Sequence, residues 1–173
     1  MGNNQSKVCC SECGSSRSEI DCFIIDGKYL CQRCLFGNTS PVQIFPIGLV
    51  ANDLSRDDSD FGTKGKGQTS EIRLFKSQKR FIYKLEEENH LTVVYYLHKS
   101  RSVRSRFNRG YDGKEVGVFA SRTPDRLSRI AIQDVRLIRI EETTLIVEDL
   151  DAIDGTPVLD IKMKWSNELM DGK

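Results

Sequence analysis

Six cysteines occur in this 173-residue chain, and all of them precede Leu35. Four form matched pairs, Cys10-x2-Cys13 and Cys31-x2-Cys34, with seventeen residues between the pairs. Each C-x2-C turn can direct two thiolates at one ion, and two such turns complete a tetrahedron around Zn2+. Four thiolates leave no position for water, so such a centre is structural and not catalytic. A redox C-x2-C or an iron–sulfur cluster would use the same residue type. Redox motifs, however, do not normally come as two matched pairs bracketing a hairpin. Here Phe23-Ile24-Ile25 and Lys28-Tyr29-Leu30 flank Asp26-Gly27, a strong hairpin signal that brings Cys31 back towards Cys13. Cys9 and Cys22 are surplus to the set.

The second stretch with chemical content is basic. From Lys99 to Arg139 there are eleven Lys/Arg and four Asp/Glu, a local +7 within a chain of net +1. A localised basic stretch in a neutral chain points to a localised anionic partner. Within it Arg101, Arg104, Arg106 and Arg109 alternate with serines, Phe107 and Tyr111, a mixture suited to RNA phosphates and bases. The plain alternative is a solvated loop. Seven acids and no base lie between Glu141 and Asp160, and the acids from Glu141 to Asp151 read as a solvated rim. No Gly-rich dinucleotide or phosphate loop is present. With only His90 and His98, a histidine-based metal site is not expected; His90 reads as a packed residue at a strand start.

The elements that must carry these residues are mainly strands. Ile44–Ala51 reads as a strand in which Pro46 implies an edge or a bulge. Strands are also expected at Glu71–Phe75, Leu91–Leu97, Val116–Ala120, Ile130–Ile140, Thr144–Glu148 and Val158–Met163. Between Lys76 and Glu88, the spacing of Phe81, Ile82 and Leu85 predicts a short amphipathic helix. Asn52–Ser70 and Lys99–Glu115 read as long polar loops, and Phe45, Phe119 and Trp165 as core or interface residues. The fold class is therefore mostly β, a barrel or folded sheet preceded by a four-cysteine, zinc-ribbon-like module. The expected domains are residues 1–40, 44–163 and a tail over 164–173. Mean hydropathy is −0.43, no apolar run nears the ~18 residues of a membrane span, and the polar N-terminus lacks a signal-peptide core. The expectation is a cytoplasmic protein, in a reducing compartment, with no membrane contact.

Two segments resemble a known family. Val116-Gly117-Val118-Phe119-Ala120-Ser121-Arg122-Thr123-Pro124, and later Asp154-Gly155-Thr156-Pro157-Val158-Leu159-Asp160-Ile161-Lys162, closely resemble the TsaA-like, TrmO-type family of S-adenosylmethionine-dependent tRNA methyltransferases. The likeness runs from about Phe45 to Lys162 and leaves the cysteine module outside. It implies a small β-barrel that binds S-adenosyl-L-methionine without a Rossmann fold, acts as a homodimer, and N-methylates a threonylcarbamoyl-adenosine-type nucleoside in tRNA.

Carried over position by position, the resemblance implies cofactor contacts from His98, Lys99, Arg122, Ile132, Asp154, Gly155, Thr156 and Pro157. Arg122 suits the cofactor's carboxylate. The Asp-Gly-Thr-Pro turn can offer backbone groups to the adenine, with Gly155 permitting close approach. Asp125, Asp154 and His98 are candidates for a catalytic base. The family's R-P-N-P-I-G stretch is here Arg126-Leu127-Ser128-Arg129-Ile130-Ala131. Because that acceptor-side segment differs, two other readings stay open: a methyltransferase for a small metabolite or protein, and a non-catalytic S-adenosylmethionine sensor that docks a partner through the zinc module.

Overall fold

The structure is a computed structural model that describes residues 6–55, 66–100, 102–110 and 112–165. The strands in chain order are β1 (Lys7–Cys9), β2 (Ser16–Ser18), β3 (Cys22–Ile25) and β4 (Lys28–Cys31). A single turn and a half of helix, α1 (Gln32–Phe36), follows. Next come β5 (Gly48–Ala51), β6 (Thr69–Leu74), β7 (His90–Tyr96), β8 (Arg106–Asn108) and β9 (Glu115–Gly117). β10 (Ile130–Glu141), β11 (Thr144–Glu148) and β12 (Pro157–Met163) complete the set. The protein is mostly β, as expected. It divides into two compact units, one joining residues 1–43 with 100–128 and the other joining 44–99 with 129–173. Residues 100–128, which the sequence reading keeps with the barrel, thus group with the N-terminal module.

The second unit is a closed barrel in the order β10-β11-β6-β5-β12-β7, with β7 returning to β10. Every pairing is antiparallel. Period-two alternation makes it close. In β7, Leu91, Val93 and Tyr95 face inward and are buried, and Ser70, Ile72 and Leu74 do the same in β6. The apolar ones, with Val135, Leu145, Val147, Leu150 and Val158, belong to the core. β12 shifts register between Val158 and Asp160, a bulge at the strand that carries the family motif.

Three elements differ from expectation. Pairing of the first barrel strand starts only after Pro46, which has no N–H to give: the Ile47 amide donates to the Val158 carbonyl at 2.8 Å, and the strand proper begins at Gly48. The helix expected over 76–88 is two short 3-10 turns, Lys76–Phe81 and Leu85–Glu87, separated by Lys84 in left-handed conformation. Ile82 and Leu85, three apart, both pack on the barrel, and that spacing suits a three-residue turn as well as an α-helix. Finally, the strand expected over 116–120 ends at Gly117 and a 3-10 turn takes over at Val118–Ala120.

The first unit is made of two-stranded sheets, β1 with β2, β3 with β4, and β8 with β9. Phe23 and Phe36 meet edge-to-face with centroids 5.1 Å apart, the arrangement ring quadrupoles favour.

Candidate functional site

The four paired cysteines converge. The sulfurs of Cys10, Cys13, Cys31 and Cys34 all lie within 4.8 Å of one another, and those of Cys13 and Cys31 are 3.9 Å apart. Four sulfurs at about 2.3 Å from one zinc lie about 3.8 Å apart, so the set fits that ion. The backbone prepares the site for thiolates. Amides of Cys13, Cys31 and Glu12 pull the Cys10 thiol down to about 6, and the Cys31 amide donates to Cys10 Sγ at 3.3 Å. Ser15 lowers Cys13. Cys34, hydrogen-bonded by its neighbours' sulfurs, is pushed up to about 12. Cys9 and Cys22 are not members of the cluster.

The family motif forms a turn closed by the Thr156 amide on the Ile153 carbonyl at 3.2 Å. Gly155 sits third in that turn with φ 73, the position that demands positive φ. A Cβ built on it would meet nothing within 4 Å. The glycine therefore serves the backbone angle and not a tight contact within the chain. The turn is bound to β5 on both sides, with the Gly155 amide donating to Val50 and the Val50 amide to Thr156, each at 2.9 Å. Thr156 is 2% exposed, and its Oγ1 lies 3.5 Å from His98 Nδ1, a long contact. Burial, and then the charge of Lys99, push the His98 pKa below its usual 6.5, while Asp154 pulls it back up. Asp154 itself is exposed. Pro157 opens β12 opposite Leu49, and Ile132 lies opposite Val94 on β10, half exposed.

Asn52, which by sequence is only the first residue of a polar loop, holds the turn from the side of β5. Its Nδ2 donates to the Ala152 carbonyl at 2.8 Å and to Ser70 Oγ at 2.9 Å, and its Oδ1 accepts the Leu54 amide at 3.0 Å. Its own amide donates to Asp154 Oδ1 at 3.2 Å. One side chain thus ties the β5 end to β6 and to the segment before the turn, and the only signal is an Asn directly after Gly-Leu-Val-Ala. Gln133 acts similarly, accepting the Asp151 amide at 2.8 Å and donating to the Asp149 carbonyl.

In the other unit, Arg122 is exposed between Ser121 and the buried Thr123. Arg126 folds back on the same stretch, donating to the carbonyls of Ser121 at 2.6 Å and Thr123 at 3.1 Å. Asp125 accepts Ser102 Oγ at 2.7 Å and Arg104 Nε at 3.3 Å, so both its oxygens are already engaged. Arg106 faces Glu115 at 3.4 Å, and Arg109 is bidentate on Asp112. Arg101 and Tyr111 lie outside the described residues. The Arg106–Glu115 pair is exposed on both sides, and such pairs contribute little to stability, so Arg106 can exchange its carboxylate for a phosphate; the Arg104 side chain is itself exposed, although Asp125 is largely covered. Phe45, Phe119 and Trp165 are not core residues but exposed, Phe119 to 87%, and His90 is exposed too.

Residues 58–167 match the family described as tRNA-methyltransferase O N-terminal domain. The chain belongs to this family. Its tRNA-methyltransferase O N-terminal domain holds the Asp154–Pro157 turn, His98 and Arg122, whereas the four clustered cysteines precede it. The chain is 33% identical to an S-adenosyl-L-methionine-binding protein of Archaeoglobus fulgidus over 125 residues, 72% of this chain and 89% of that one. It is 35% identical to a probable S-adenosyl-L-methionine-binding protein of Methanothermobacter thermautotrophicus over 123 residues, 70% and 88% of the two chains. With the tRNA (adenine(37)-N6)-methyltransferase of Mus musculus it shares 30% over 92 residues, but spans only 21% of that protein. The fold matches the crystal structure of TrmO from Pseudomonas aeruginosa with a TM-score of 0.60 and 24% identity, covering 78% of this chain and 60% of that one.

Proposed function

We propose that the chain is an S-adenosylmethionine-dependent methyltransferase that N-methylates a modified adenosine of the threonylcarbamoyl type in tRNA. The observation that carries this reading is the family match over the Asp154–Pro157 turn, with Thr156 buried beside His98. Taken one at a time, as carried over from the family pattern, the residue types suit the cofactor: the cation Arg122 its carboxylate, backbone groups of the Asp154–Pro157 turn its adenine, and the carboxylate of Asp154 its sulfonium. Lys99, Ile132 and Pro157 complete the contacts carried over from the family pattern.

S-adenosylmethionine supplies, when bound, an electrophilic methyl group on a sulfonium sulfur. The chain's own contribution is to hold donor and acceptor in line, since orientation supplies most of the acceleration in such a displacement. His98 stays neutral at neutral pH because burial and Lys99 lower its pKa, so its unprotonated ring nitrogen can take a proton from the acceptor. Asp154 is the second candidate base. Asp125 suits the role less, with both oxygens already accepting from Ser102 and Arg104.

Zn2+ held by Cys10, Cys13, Cys31 and Cys34 would be a closed structural centre. We also propose a homodimer and a cytoplasmic location; among the described residues no helix is long and apolar enough to cross a membrane. The readings that methylate a metabolite or protein draw on the changed segment Arg126–Ala131. A non-catalytic sensor draws on the relatives named for cofactor binding alone.

The test is a calorimetric titration with S-adenosylmethionine, followed by mass spectrometry of nucleosides from tRNA incubated with protein and cofactor. Charge-assisted bonds contribute roughly 1.5–3 kcal/mol, so Arg122→Ala weakens cofactor binding about tenfold to a hundredfold. Tight binding without methyl transfer selects the sensor. No binding at millimolar cofactor refutes both methyltransferase and sensor.

A further inference from the structure

The cysteine module lies before the matched family span and the reaction just proposed makes no use of it. Its hairpin tip nevertheless has a partner inside its own unit. We propose that Asp26 clamps the start of the 100–128 segment, so that the metal-bearing hairpin is the scaffold that positions Arg104 and Arg106. This rests on the metal and tRNA readings above.

The grip is made by three bonds from one residue. The Asp26 amide donates to the Val103 carbonyl at 3.2 Å. Asp26 Oδ1 accepts the Ser105 amide at 3.0 Å, and Oδ2 accepts the Ser105 hydroxyl at 2.5 Å. Asp26 and Gly27 both have positive φ, 49 and 76, the geometry of a two-residue hairpin turn. The carboxylate is held below its usual range by the Ser105 bonds and then by Arg104 and Arg106, so it is anionic at neutral pH.

Arg104 lies between the two gripped residues, and its other side is fastened as well. Its amide donates to the Asp125 carbonyl at 3.0 Å, its Nε faces the Asp125 carboxylate at 3.3 Å, and Ser102 Oγ donates to the same carboxylate at 2.7 Å. The Ser105 carbonyl accepts the amide of the buried Val118 at 3.0 Å. Residues 102–105 are therefore pinned between Asp26 and Asp125, and β8, with Arg106 as its first residue, starts from the pinned end.

The metal enters through the other end of the hairpin. β3 and β4 pair from Ile25↔Lys28 at the tip to Cys22↔Cys31 at the base, and Cys31 belongs to the sulfur cluster. A lone hairpin of two four-residue strands has marginal stability in water. Fixing its base with an ion is what makes its tip a firm anchor. The module thus acts on a segment of its own chain, and needs no external partner to have a function.

The test is hydrogen–deuterium exchange on the full zinc-loaded chain, read at the amides of Ser105 and Val118. Asp26→Ala leaves the zinc content unchanged, because Asp26 is no ligand, while Ser105 amide exchange rises roughly ten- to hundredfold. Asp26→Asn, which keeps an acceptor, restores part of the protection, and Ser105→Ala, which leaves the hairpin intact, gives a smaller rise. Chelation of the wild type reproduces the Asp26→Ala pattern. In parallel, filter binding with unfractionated tRNA shows Asp26→Ala weakened severalfold. Unchanged Ser105 exchange in Asp26→Ala overturns the clamp. Raised exchange together with no tRNA binding by the wild type supports the clamp and refutes the tRNA reading.

Discussion

Removing the Asn52 side chain tests whether the Asp154–Pro157 turn is held from behind. Its amide and carbonyl make three bonds, to Ala152, Ser70 and Leu54, at 2.8–3.0 Å. Ala152 and Ser70 are each 2% exposed, so after Asn52→Ala a carbonyl and a hydroxyl stand buried without that partner. A hydrogen bond contributes about 1 kcal/mol net, and a buried group left unsatisfied costs about 1–3 kcal/mol. Asn52 is itself half-buried, which lets water replace part of the loss. The expected destabilisation is then roughly 2–3 kcal/mol. Within a unit of residues 44–99 and 129–173, each kcal/mol moves Tm by about 4–8 °C, so the fall is roughly 10–20 °C. Urea denaturation followed by circular dichroism measures it, with the exposed neighbour Asp53→Ala as the control expected to stay within about 0.5 kcal/mol. An Asn52→Ala loss no larger than that control would show that the network does not hold the turn.

Elemental analysis of freshly reduced protein is expected to find one zinc per chain, and Cys31→Ser to unfold the N-terminal module while the barrel stays folded; iron, or no metal, would end that reading. By NMR, His98 titrates below 6.5, since its charged form is disfavoured by burial and Lys99. Lys99→Gln raises that midpoint and Asp154→Asn lowers it further, and a shift in the opposite direction in either variant refutes the assigned causes. Because the folded pKa lies below the unfolded value, this histidine's contribution to stability is complete above about pH 6.5 and declines as pH falls towards the folded midpoint. Arg104→Ala and Arg106→Ala each lower the log–log salt slope of tRNA binding by somewhat under ~1, and unchanged slopes assign these arginines to solvent.

The barrel was legible where one face of a strand is buried and the other is not. β7, β10, β11 and β12 lie within a residue of their expected limits because alternation of apolar and polar side chains is what burial in a closed sheet imposes. The stretch from 76 to 88 defeated the same logic. Phe81 contributed to the helical spacing, yet it is exposed, and only Ile82 and Leu85 meet the barrel. Val116–Ala120 read as a strand because it is apolar, although only Val118 of that run is buried. In the site, the cysteine set was readable from spacing alone, and the Asp-Gly-Thr-Pro turn from its resemblance to a family. Asn52 and Asp26 were not readable. Their partners lie far off in sequence, at Ala152 and Ser105, and no local pattern marks a polar side chain whose use is decided by topology.

The unit that contains the cysteines is discontinuous, and that has a consequence for how the protein is made. β7 and β10 are sheet neighbours, with Tyr96 opposite Ile130 and the Leu97 amide donating to the Arg129 carbonyl at 2.7 Å. The chain therefore leaves the barrel and returns to it at one place, and closing so long a loop costs entropy that grows only with the logarithm of its length. During synthesis from the N-terminus, both cysteine pairs emerge long before Ser105 does. Metal capture can thus come first, with the hairpin tip left waiting until the segment ending at Ser128 has been translated. Ribosome-bound chains stopped at Lys99 are expected to hold zinc with the tip's amides still exchanging, and chains extended past Ser128 to protect them.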